Sequence, residues 1–176
     1  MRKQPNSHHC FICGVKNVAG VHVRFYETET HEGTPEILAF FTGQPQHQGY
    51  PGRMHGGVAM GILDETIGRA VNIGDAPADD PDARAMTWGV TGEFTLRFHK
   101  PVPLGVELTA RGRIVRERSR VFEGEGELYP PDGEIAVSAK GTYFKMSLDA
   151  ISAIDPEMLG WRALPGLTGW ATDGHR

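Results

Sequence analysis

The chain has 176 residues, 18 of them basic and 22 acidic, for a formal net charge of −4. That length suits one domain with a sizeable core, and the balance lacks the basic excess of a typical nucleic-acid binder. Nothing approaches ~18 uninterrupted apolar residues, and the opening MRKQPNSHHC has no apolar centre of signal-peptide type, so the expectation is a cytoplasmic protein without a membrane span.

Residues 8–14, HHCFICG, hold the only two cysteines. Cys10 and Cys13 have the spacing of half a zinc site, with His8 and His9 beside them. No second pair follows, so the expectation is packing and no metal. Strands are expected over 21–29 and 36–43, joined by a turn at 31–35, because Val21, Val23 and Phe25 alternate with His22, Arg24 and Tyr26. A loop over 44–55 then leads into a helix over 56–73, closed by Gly74. Its apolar residues occupy every side of a helical wheel, which predicts burial on most sides.

Residues 75–85, DAPADDPDARA, read as an exposed loop that covers part of a substrate channel. Further strands are expected over 86–99, 106–117, 121–129 and 134–146, with prolines marking the joints. The arginines at 111, 113, 116, 118 and 120 are expected to pair with Glu117, Glu123, Glu125 and Glu127 on a solvated face, a grip on phosphates being the alternative. In the tail a short helix is expected over 156–163, with Trp161 and Trp170 docking on the domain or a neighbour. Strands, one long apolar helix and more strands predict an α+β domain, a curved antiparallel sheet wrapped around the helix.

Two acids, Asp64 and Glu65, interrupt the apolar helix. Successive helical residues point about 100° apart, so only one of them faces a given cleft. Glu65 has Arg69 four residues on, the favourable order for a helical ion pair, and reads as its solvated partner. Asp64 has no basic residue one turn away and is the acid left for chemistry or for a hydrogen bond to a neighbour. Gly56 and Gly57, where loop becomes helix, leave bare N–H groups at a positive helix end, able to polarise a carbonyl; the other reading is a tight turn.

His55, Gly56, Gly57 and an acid nine residues after the histidine, written HGGVAMGILDE, resemble the active-site helix of the hotdog-fold acyl-CoA thioesterases, nearest the PaaI-like branch. The flanking QGYPGRMHGG and TGEFTLRFHKPVPLG resemble it too, and the similarity spans roughly residues 20 to 147. It divides the chain into an N-terminal segment 1–19 with the cysteine pair, a hotdog domain 20–147 and a tail 148–176. A CFxCG start also occurs in some bacterial PaaI-like proteins.

The resemblance implies hydrolysis of an acyl-CoA thioester to free acid and CoA, without a cofactor. Asp64 is then the catalytic carboxylate, as general base or nucleophile, and the Gly57 amide polarises the carbonyl. Thr91, in TWGVTGEF, falls where the family carries a Ser or Thr supporting the water or the acid. His55 and Gly56 belong to the substrate-binding turn, with His55 orienting the loop. Family members often carry Asn or Gln six residues before this histidine, where this chain has Gly49; either Gln48 serves with a one-residue shift, or the Gly57 amide works alone. Gly57 and Asp64 stand about 10 Å apart along one helix, too far to act on one carbonyl within a subunit. A homodimer with shared sites follows, and the family's dimers often pair into tetramers. Competing classes are a non-catalytic acyl-CoA binding or sensing protein on the same fold, a lyase or hydratase, and a zinc-dependent interaction module.

Overall fold

The alternating stretches come together as one antiparallel sheet in the computed structural model, which describes residues 1–74, 86–153 and 156–161. Its strands are β1 (Arg2–Lys3), β2 (Arg24–Glu29), β3 (Pro35–Thr42), β4 (Trp88–Phe98), β5 (Glu107–Glu117), β6 (Val121–Tyr129) and β7 (Val137–Met146). They lie in the order β1-β2-β3-β5-β6-β7-β4, and the sheet curves around helix α1 (Gly56–Gly68). Two short helices, α2 (Leu148–Ile151) and α3 (Pro156–Leu159), follow the last strand. The α+β, hotdog-like architecture expected from the sequence is the one observed. Among the described residues no helix is long and apolar enough to cross a membrane.

Glycines on β5 and β6 decide how closely α1 approaches. Gly112 and Gly126 are opposite one another in the ladder, with Gly124 two residues along. A Cβ at Gly112 would lie 2.9 Å from Ile67 N and from the Thr66 carbonyl, and one at Gly124 would lie 2.3 Å from Ile67 Cγ2. Only bare backbone lets the helix settle there. Ile62, Leu63 and Ile67 are fully buried as a result, against Phe25, Leu108 and Phe122.

The helix is not buried all round. Gly57 and Met60 are exposed, and Gly61 and Asp64 half-buried, one stripe at helical spacing. The α-helix also stops at Gly68 and tightens into a 3-10 turn over Arg69–Asn72, five residues before the expected end. Such tightening is common at helix C-termini. Gly74, at φ +90°, then turns the chain away.

The strand expected from residue 21 begins at Arg24. The N–H groups of Val21 and Val23 bond to the carbonyls of Phe11 and Ile12 instead, both at 2.9 Å. The N-terminal residues thus join the sheet, with β1 beside β2 and Asn6 Nδ2 donating to Cys13 O at 2.8 Å and Val23 O at 2.9 Å. Arg113 and Arg116 pair with Glu125, Glu127 and Glu123 as the spacing predicts, whereas Arg111 pairs with buried Glu36 and Glu117 with Lys145. Trp161 docks on the domain against Trp88, ring centroids 4.9 Å apart. The helix expected over 156–163 ends at Leu159, where Gly160 at φ +58° breaks it. The loop 75–85 and Trp170 lie outside the described residues.

Adding a methyl group at Gly112 pushes on backbone rather than on a side chain that can turn away. Gly112→Ala is expected to cost about 1–3 kcal/mol, read as a lower urea midpoint; an unchanged midpoint would contradict the close approach of α1.

Candidate active site

Asp64 leaves α1 toward the β4–β7 pair. Thr91 on β4 and Tyr143 on β7 are directly opposite in that ladder, so both side chains leave the sheet on one face. Thr91 Oγ1 donates to Asp64 Oδ1 at 2.7 Å. Tyr143 OH donates to the same oxygen at 3.1 Å and lies 3.2 Å from the Asp64 carbonyl oxygen. With Oδ1 engaged twice, Oδ2 keeps its lone pairs for a water or a carbonyl carbon. Burial pushes the Asp64 carboxyl above its ordinary value; the hydrogen bonds from Thr91 and Tyr143 pull it back in part, and neighbouring Glu65 adds to the rise. Burial, then the Asp64 charge, pushes the Tyr143 phenol up as well, so it stays a donor.

Sequence reasoning missed Tyr143. The signal was there: Val137, Ala139, Gly141 and Tyr143 alternate inward along β7, and a tyrosine hydroxyl in a buried run needs a polar partner. The ring stacks on Phe122, centroids 4.8 Å apart and 6° from parallel, which holds the hydroxyl in place.

His55 is the N-cap of α1, and its Nδ1 accepts the Gly57 N–H at 3.0 Å. Nδ1 is therefore unprotonated. The amide expected to polarise a carbonyl already has an acceptor in this state, and the exposed ring must yield it before a carbonyl takes its place. His55 N in turn donates to His47 O at 2.8 Å. Gln48 Oε1 accepts Gly52 N–H at 2.9 Å and so braces the 49–52 turn.

The site residues expected from the sequence fall into two groups. His55 and Gly56 line a cavity of about 820 Å³ together with Tyr50, Arg53, Phe98 and Lys100. Asp64 and Thr91 line a second, of about 280 Å³, with Trp88 and Trp161. Gln48 and Gly57 are among the lining residues of neither.

Glu65, expected as a solvated partner of Arg69, is largely withdrawn from solvent. The Glu65 and Arg69 side chains are only 20% and 5% exposed, and their contact is 2.7 Å. Arg69 also donates to Pro5 O at 2.8 Å, and its guanidinium lies over the rings of Phe25 and Trp161 at 4.0 and 4.6 Å. Tertiary packing has drawn a helical surface pair inside, and removing one partner of such a pair costs roughly 3–5 kcal/mol.

The profile of the thioesterase superfamily matches residues 51–137, which run from the turn before His55 through α1 and β4 to the start of β7. Residues 51–137 belong to the thioesterase superfamily. Solved structures of similar shape include the thioesterase superfamily protein RHA08564, 26% identical with a TM-score of 0.62. That match covers 77% of this chain and 63% of the other, so this chain spans less than two thirds of that relative. The BH2602 protein of Bacillus halodurans, solved with CoA, is 26% identical at a TM-score of 0.53, over 69% of this chain and 73% of its own. The thioesterase HI1161 of Haemophilus influenzae shares the fold at 14% identity and a TM-score of 0.60, over 77% and 86%. No protein of curated function matches the sequence.

In this superfamily member the His55 ring caps a helix through one acceptor nitrogen. His55→Ala is expected to lower stability by about 0.5–2 kcal/mol, and His55→Asn, which also caps, to recover most of it. A thermal melt of the three proteins checks this; equal Tm for wild type and the alanine variant would remove the capping role.

Proposed function

We propose that this chain is an acyl-CoA thioesterase that works as a homodimer, with each active site built from both subunits. The observation that carries the reading is the division of the site. His55, Gly56 and Gly57 stand at the N-terminus of α1 and Asp64 about 10 Å farther along, and His55 and Gly56 line a different cavity of one chain from Asp64. A stripe of exposed or half-buried small residues and Met60 runs between them. Antiparallel apposition of two such helices across a two-fold axis brings Asp64 of one chain to Gly57 of the other, the self-complementary geometry of an isologous dimer. Among the described residues strand β4 ends the sheet with one edge unpaired, a second surface suited to a partner.

The chemistry then divides by residue. The Gly57 N–H takes the thioester oxygen in place of His55 Nδ1 and stabilises the negative charge that develops there. Asp64 acts at the carbonyl carbon. As a base, its Oδ2 takes a proton from water while the water oxygen forms the new C–O bond; as a nucleophile, Oδ2 forms that bond and water later cleaves the anhydride. Either way the C–S bond breaks and CoA leaves as thiolate, then gains a proton. Thr91 and Tyr143 hold Asp64 in position. Arg53, lining the larger cavity, supplies positive charge of the kind CoA phosphates require, whereas Lys100 there is already paired with Asp132 and Glu134. A CoA ligand in the structure of the Bacillus halodurans protein is consistent with this substrate class.

Thiol release from short, medium, long and aromatic acyl-CoAs tests the reading. Turnover is expected in wild type and is expected to fall by about two orders of magnitude or more in Asp64→Asn, the usual loss for an acid/base group. Binding of acyl-CoA without turnover would instead favour a non-catalytic binding or sensing protein. Size-exclusion chromatography with light scattering is expected to give a dimer or a pair of dimers. An active monomer would refute the shared site.

A further inference from the structure

The N-terminal loop and α1 bring together a cluster of side chains that thioester hydrolysis does not use. Cys10 Sγ, Cys13 Sγ and a carboxylate oxygen of Glu65 all lie within 4.8 Å of one another. Glu65 Oε2 is 3.3 Å from Cys10 Sγ. Its other oxygen, Oε1, accepts from Arg69 Nε at 3.0 Å and Nη2 at 2.7 Å. Arg69 therefore turns Oε2 to the sulfurs. We propose that Cys10, Cys13 and Glu65 form a binding site for one thiophilic divalent cation of the zinc class.

The loop is shaped for such an ion. Gly14 closes the turn over the Cys10 backbone so tightly that a Cβ there would meet Cys10 O at 2.3 Å, and Gly14 N–H bonds to that oxygen at 2.9 Å. The Ile12 N–H donates to Cys10 Sγ at 3.3 Å, and Ser7 Oγ lies 3.4 Å from Cys13 Sγ. Hydrogen bonds of this kind orient sulfur ligands around an ion. Charge balances as well: two thiolates and one carboxylate offset the doubly charged ion and the Arg69 guanidinium.

Two thiolates and a carboxylate are common zinc ligands, and three protein ligands leave one corner of a tetrahedron for water. The three side chains line the smaller cavity beside Asp64, as does Asn72. Asn72 Oδ1 is buried without a hydrogen-bond partner among the described residues. On binding, each cysteine gives its proton to solvent, and nothing is oxidised or reduced. The ion ties residues 7–14 to α1, a role independent of whether the chain hydrolyses thioesters.

The full-length protein, purified with thiols reduced, is assayed for zinc by elemental analysis and titrated with cobalt, whose thiolate charge-transfer absorption reports sulfur ligands directly. The expected result is about one zinc per chain and a cobalt–thiolate band that zinc abolishes. Cys10→Ser and Cys13→Ser are expected to lose both signals while keeping a cooperative melt, and Glu65→Gln to weaken affinity by at least about tenfold. If the serine variants fail to fold, the wild-type cobalt spectrum still decides. The proposal is overturned if reduced wild type takes up neither ion, if bound cobalt lacks the thiolate band, or if the serine variants bind as well as wild type. Closure of the pair to a disulfide in the protein as isolated, with no zinc uptake after reduction, would mark a redox pair instead.

Discussion

The direct contact between the backbone of α1 and the glycines of β5 and β6 sets the positions of the site. At Gly112 nothing separates the two elements but van der Waals distance, since even a methyl group would strike the carbonyl of Thr66. This depth buries Ile67 and brings Gly68 against the Tyr143 ring, where a Cβ would be 3.5 Å away. At that height the Asp64 side chain meets the hydroxyls of Thr91 and Tyr143. A helix held farther from the sheet by side chains would leave those donors short of the carboxylate.

Two neighbouring acids on this helix meet opposite environments because of the helical rotation between them. Asp64 turns to the β4–β7 pair and neutral hydroxyl donors, under partial burial. Glu65 turns to the N-terminal segment and a guanidinium sandwiched between Phe25 and Trp161. Neutral donors leave Asp64 responsive to its burial, whereas Glu65 is locked by charge and two short hydrogen bonds to a single oxygen. The proposed catalytic carboxylate and a structural one are thus neighbours in the chain.

The exposed stripe on α1 is the surface on which the proposed pairing of two chains rests. In a helix otherwise packed on every side, Gly57, Met60 and Gly61 are small or flexible, and they run from the capped N-terminus to Asp64. Small residues permit close helix approach without side-chain strain. The edge of β4, unpaired among the described residues, adds to this, since unpaired strand edges call for covering.

Much of this was legible beforehand. Period-two alternation placed all six longer strands within three residues at each end, the HGG turn placed the helix start, and the helix's apolar content foretold its central position. Asp64 stood out because no base lies one turn away. What the sequence by itself determined were therefore local matters: element type, turn positions, and which acid lacked a helical partner, all of which depend on neighbours a few residues apart. Only the tertiary structure decided the rest. It joined Tyr143 to Asp64 across 79 residues and Glu65 to Cys10 across 55, and it drew the Glu65–Arg69 pair out of solvent. Those contacts depend on how far the helix sinks onto the sheet and where the N-terminal loop returns, and spacing along the chain carries no measure of either.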